Sequence, residues 1–194
     1  MRYADDFVMG FECEEDAQRV YAVLPKRFEK YGLKLHPTKT RLIPFARPCV
    51  GQEGSKRTAE QGKGTFDFLG FTHYWGKTRK GGYAVKRKTA SKRMRRSLKA
   101  INQWLQSHVH LGMRAQWDKL KQKLLGHFAS YGITGNGEAL ERFREVVKRL
   151  WHKWLNRRSR RDGGMSWQRL EELIKRYYPF PPARVVHSIY AAKF

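Results

Sequence analysis

The chain has 194 residues, with 41 Lys and Arg against 17 Asp and Glu and a formal net charge of +24, which points to a polyanionic partner. A hydrophobic fraction of 40% with 13% aromatic residues excludes a disordered basic tail, and the length suffices for one good-sized core or two small ones. No apolar run is long enough to span a bilayer, and no signal-peptide core or lipidation pattern stands at the N-terminus, so no membrane partner is expected and the cytosol or nucleoid is the expected location.

In chain order, residues 1–11 place two short apolar runs on either side of Asp5 and Asp6, the pattern of a β-hairpin carrying both acids at its tip. Adjacent carboxylates repel unless a cation or donors offset them, and their hard oxygens suit Mg²⁺; an ordinary Asp-rich turn is the plainer alternative. Glu12, Glu14, Glu15 and Asp16 cluster where a helix would start, favoured by its positive end. Ala17, Val20, Tyr21, Leu24, Phe28 and Tyr31 continue at helical spacing to Gly32, with a kink or break expected at Pro25. Residues 33–44 read as strand, turn at Pro37, strand.

Residues 47–65 read as a loop, 65–75 as a strand with Gly70 allowing close approach of another chain, 76–82 as a basic turn and 83–86 as a returning strand. From Ser91 the period becomes helical. Met94, Leu98, Ile101 and Leu105 line one face, and Lys92, Arg95, Arg96 and Lys99 the other. A second helix carries Trp117, Leu120, Leu124, Phe128 and Tyr131 and is closed by Gly132. A third carries Leu140, Phe143, Val147, Leu150 and Trp154 and runs into Arg157, Arg158, Arg160 and Arg161. Asp162-Gly163-Gly164 breaks the chain, Ser166 caps a short helix to about Tyr177, and Pro179, Pro181 and Pro182 force an extended tail through Tyr190. The fold class is therefore α+β, with antiparallel hairpins and a helix over 1–88 and a helical domain over 89–194.

Charge follows this division. Residues 1–67 hold 12 basic and 10 acidic side chains, net +2, and 68–194 hold 29 and 7, net +22. From Phe68 to Trp117 there is no carboxylate to balance the basic helix face, which favours phosphate contact over a merely solvated face. The arginines at 157–161 suit RNA backbone contact beside Trp151 and Trp154, although both tryptophans read first as core. His108 and His110, read as facing different sides of a helix, lack partners for zinc, and Cys13 and Cys49 lack CxxC spacing and read as reduced thiols.

Three motifs carry a resemblance: Tyr3-Ala4-Asp5-Asp6, then Gly32-Leu33-x-Leu35 with Lys39-Thr40, then Phe68-Leu69-Gly70-Phe71. In this order and spacing they resemble the C-terminal half of a reverse transcriptase palm. The following helices are similar to the thumb, or maturase-specific domain, of group II intron-encoded reverse transcriptases. There Leu124-Leu125-Gly126-His127-Phe128-Ala129-Ser130-Tyr131 resembles the Leu-Arg-Gly-Trp-x-x-Tyr-Tyr signature, with His127 replacing the usual Trp.

The resemblance implies an RNA-directed DNA polymerase, a nucleotidyltransferase, in which Asp5 and Asp6 hold catalytic Mg²⁺. It places Tyr3 and Lys39 beside the nucleotide site and Leu69, Gly70 and Phe71 in the primer grip, although Lys39 also reads as a solvated lysine and Leu69 and Phe71 as sheet core. Implied partners are group II intron RNA and an RNA template with DNA primer. The family's site also takes a further Asp and a fingers region from upstream, so the chain is expected to be a C-terminal fragment, not polymerase-competent without an N-terminal fingers and palm half in trans. The alternatives are an RNA-binding splicing cofactor without polymerase activity and a decayed gene product.

Overall fold

The computed structural model describes residues 2–3, 5–48, 64–158 and 164–188. These form a mixed α+β chain that divides into two units, residues 1–86 and 87–194.

The first unit opens with β1 (Arg2–Tyr3) and β2 (Asp6–Phe7), antiparallel, with Arg2 opposite Phe7 and Tyr3 opposite Asp6. Two such strands are marginal alone. Phe7 stacks on Phe28 of α1 (Glu14–Glu29) with ring centroids 5.8 Å apart, anchoring the hairpin. The first turn of α1 carries Glu14, Glu15 and Asp16 and its last turn Lys26 and Arg27, both favourable to the helix dipole.

The helix does not break at Pro25. This residue is exposed and lies just before the last turn, so it forfeits one hydrogen bond while the apolar side of Ala17, Val20, Leu24 and Phe28 stays intact. Gly32 ends the helical segment through a Schellman motif: at φ +68° it donates its N–H to Glu29 O, and Leu33 N–H reaches Phe28 O, both at 3.0 Å.

Residues 33–44 form no strands. The turn at Pro37 is present, closed by Lys39 and Thr40 N–H groups on His36 O, but the flanking residues have no ladder partner among the described residues. Tyr21 Oη donates to Thr40 O and ties the segment to α1 instead. A strand exists only when an adjacent strand takes up its backbone groups, which local composition does not reveal. Of the loop expected over 47–65, residues 49–63, with Cys49, lie outside the described residues.

A three-stranded antiparallel meander follows, β3 (Phe66–Phe68), β4 (Phe71–Lys77) and β5 (Tyr83–Thr89). What reads in sequence as one strand across Gly70 is a hairpin. Phe68 faces Phe71, and Leu69 and Gly70 form the two-residue turn with φ of +51° and +84°. Positive φ at both positions is what a type I′ turn requires, so Gly70 supplies backbone freedom rather than close approach.

Among its described residues the second unit packs four helices, α2 (Ser91–Ser107), α3 (Met113–Tyr131), α4 (Gly137–Arg158) and α5 (Trp167–Arg176), around one core. The helical periodicities meet there: Ile101 and Leu105 of α2, Leu120 and Leu124 of α3, Phe143 and Val147 of α4 and Leu170 of α5 are buried. Burial of each such side chain contributes roughly 1.5–3 kcal/mol. Two buried amides join the elements. Gln116 donates to His108 O and Leu111 O and accepts from Trp151 Nε1 at 2.8 Å. Asn136 donates to Thr89 Oγ1 and Tyr131 O and accepts from Thr89 N–H. Both satisfy the polar atoms they bury.

Ser166 Oγ caps α5 by accepting from Arg169 N–H. The tail is packed as well as extended. Phe180 is buried against Trp151, and the backbone at 186–187 hydrogen-bonds to Gly132 O. A Cβ on Gly132 would collide with Phe128 O and lie 2.9 Å from Arg184 O, so the helix end and the tail together require glycine there. His108 and His110 lie beyond the end of α2 in a turn, their rings stacked 6.1 Å apart, rather than on opposite helix faces. Among the described residues no helix is long and apolar enough to cross a membrane.

Candidate nucleic-acid interface

In the first unit the sequence-predicted site residues fall on three local structures. Tyr3, Asp5 and Asp6 share the first hairpin. The acids are not both at its tip: Asp5 is in the turn, whereas Asp6 is the first residue of β2, opposite Tyr3. Phe7 turns toward α1 and the neighbouring Asp6 is exposed, as strand alternation dictates. Exposed carboxylates are the hard oxygen donors that Mg²⁺ generally takes together with waters and phosphate oxygens. Among the described residues no group of three or more His, Cys, Asp or Glu side chains is placed to hold a metal.

Lys39 is exposed in the turn after Pro37, on a different segment. Leu69, Gly70 and Phe71 belong to the β3–β4 hairpin, in the sheet separate from β1 and β2. Leu69 is 43% exposed at the turn, not sheet core, and Phe71 is half-buried. A leucine at φ +51° costs roughly 1–2 kcal/mol, and an exposed apolar side chain held in that conformation offers a contact surface.

In the second unit Lys92, Arg95, Arg96 and Lys99 are all exposed on α2, and Arg93, which the periodicity argument left out, is exposed beside them. The opposite side of the helix is fixed by Ile101 and Leu105 in the core. Among the described residues none of these five cations is in an ion pair, whereas Arg114, Arg144 and Lys148 elsewhere in the unit pair with carboxylates. The first turn of α2 holds no acid and two cations, Lys92 and Arg93, at the positive end of the helix dipole. This arrangement is locally unfavourable, and an anion laid along the helix would relieve it.

Arg157 is exposed with its guanidinium 4.9 Å from the Trp154 ring centre. Trp154 is 6% exposed, donates to Asn102 Oδ1 and serves as core and as a platform for Arg157 rather than for a base. Trp151 is fully buried. Arg158 closes α4, and Arg160 and Arg161 lie outside the described residues.

His127 is buried, its ring stacked 3.6 Å from that of Phe143, and its Nε2 has no hydrogen-bond partner among the described residues. Burial lowers its pKa from 6.5 to about 4, so it is neutral near pH 7 and packs as an aromatic ring.

No protein-family model, curated protein or solved structure matches the chain.

Proposed function

We propose that the chain is an RNA-binding protein of the group II intron reverse transcriptase and maturase class, its helical unit gripping the ribose-phosphate backbone. The observation that carries this reading is the α2 face of Lys92, Arg93, Arg95, Arg96 and Lys99, exposed, without carboxylate partners among the described residues and set against the helix dipole. Counterion release makes such a face a strong, salt-sensitive phosphate contact.

The three-motif resemblance supports reading the first unit as a palm end. In that reading Asp5 and Asp6 would hold Mg²⁺, which would supply activation of the primer hydroxyl and neutralisation of the leaving pyrophosphate. The exposed Leu69 turn then rests against the primer.

The test is binding of the full chain to a structured RNA across a salt series. Arg95→Ala with Arg96→Ala is expected to weaken binding at least tenfold and to flatten the log-log salt slope by about one to two units. Unchanged affinity and slope would remove the assignment. Asp5→Ala with Asp6→Ala should leave RNA binding intact. In a reaction supplemented with a fingers and palm half, that variant should lose Mg²⁺-dependent primer extension. Extension that survives it would leave an RNA-binding cofactor as the better reading.

A further inference from the structure

Arg79 and Lys80 are exposed in the turn between β4 and β5. The turn is closed twice, by Thr78 N–H on Gly82 O at 2.7 Å and by Gly81 N–H on Thr78 O at 3.1 Å, with Gly81 at φ +80°. A hairpin closed in this way fixes the backbone from which both cations project.

A third cation arrives from a distant part of the chain. Trp75 of β4 stacks on Phe45 with ring centroids 5.5 Å apart and donates its indole N–H to Phe45 O at 3.2 Å, which anchors Phe45 on the sheet. Two residues further on, Arg47 reaches the turn: a Cβ placed on Gly82 would lie 3.9 Å from Arg47 Nη2 and 3.6 Å from Thr78 Oγ1. Nearby on the sheet Lys86 runs its aliphatic stem over Gly76, where a Cβ would come within 2.5 Å of Lys86 Cδ. Asp67 is the lone carboxylate in the three strands, and Thr72 Oγ1 donates to it. Aromatic packing and glycine therefore gather like charges that repel one another, and a polyanion would offset that repulsion.

We infer that the β4–β5 turn, with Arg47, Arg79 and Lys80, is a second contact for the RNA backbone, additional to α2. This rests on the reading of the chain as an RNA-binding protein. Guanidinium forks match phosphate oxygens, and Trp75 and Phe45 are engaged with each other, so the contact holds backbone without reading sequence.

The experiment is fluorescence anisotropy of the full chain with a labelled RNA stem-loop over a salt series. Arg79→Ala with Lys80→Ala should weaken binding on the order of tenfold and make the log-log slope shallower by about one to two units, with a smaller loss for Arg47→Ala. Lys119→Ala with Lys121→Ala removes two exposed cations from α3 and should change neither quantity comparably. A turn variant that binds like wild type, or loses no more than the α3 variant, overturns the inference. In that case a loss with Arg95→Ala and Arg96→Ala still upholds RNA binding by α2. Absence of salt-dependent RNA binding by the wild-type chain overturns both.

Discussion

Helices α2 and α4 share a core but dispose of their cations differently. On α4, Arg144 lies 2.6 Å from Glu141, and Lys148 lies 2.9 Å from Glu145 and 3.5 Å from Glu171 of α5. The helix also opens with Glu138, as its dipole favours. On α2 no carboxylate is present to accept any of the five cations, and two of them occupy the first turn. Charge on α4 is partly closed within the fold, whereas charge on α2 is left open to an external anion. The contrast separates a helix that holds the unit together from one that presents a surface.

The largest expected effect breaks the structural side of this contrast. Trp151→Ala removes a fully buried ring and leaves Gln116 Oε1 without its donor, so a loss of about 3–5 kcal/mol is expected in urea unfolding. A loss below 1 kcal/mol would show that α4 is not the core helix.

Next in size is a pH effect at the α3–α4 contact. The His127 imidazole takes a proton near its ordinary 6.5 when unfolded but only near 4 when buried against Phe143. Between these values the unfolded chain binds more protons. The contribution is therefore fully present above pH 6.5 and is lost as pH falls toward 4, by up to about 3 kcal/mol. His127→Phe should remove that dependence from thermal melts recorded across the window, and an unchanged pH profile would contradict it.

The smallest effect sharpens the other side. Lys92→Glu places a carboxylate in the first turn of α2, and a stability gain of about 0.3–1 kcal/mol is expected together with weaker RNA binding. Loss of stability would show that Lys92 has an intramolecular role.

These helices were largely legible in the sequence because their apolar residues recur at a spacing that only a helix turns to one side. Met94, Leu98, Ile101 and Leu105 led to the right face, and the basic residues opposite followed from the same geometry. The strands expected over 33–44 were not found because a strand depends on a partner elsewhere in the chain. Leu69-Gly70 gave no turn signal, since type I′ turns usually announce themselves with Asn-Gly or Asp-Gly. The cluster at the β4–β5 turn was hidden for another reason. Arg47 lies some thirty positions before Arg79 in the chain, and contacts of Phe45 with Trp75, a ring stack and an indole hydrogen bond, bring it to the turn.

The most direct measurement of the central claim is lysine acetylation footprinting of the full chain with and without structured RNA, read by peptide mass spectrometry. Lys92 and Lys99 on α2 should lose reactivity when RNA is bound, while Lys148 on α4 and Lys119 on α3 keep theirs. Protection of Lys148 or Lys119 with Lys92 and Lys99 still reactive would contradict the account.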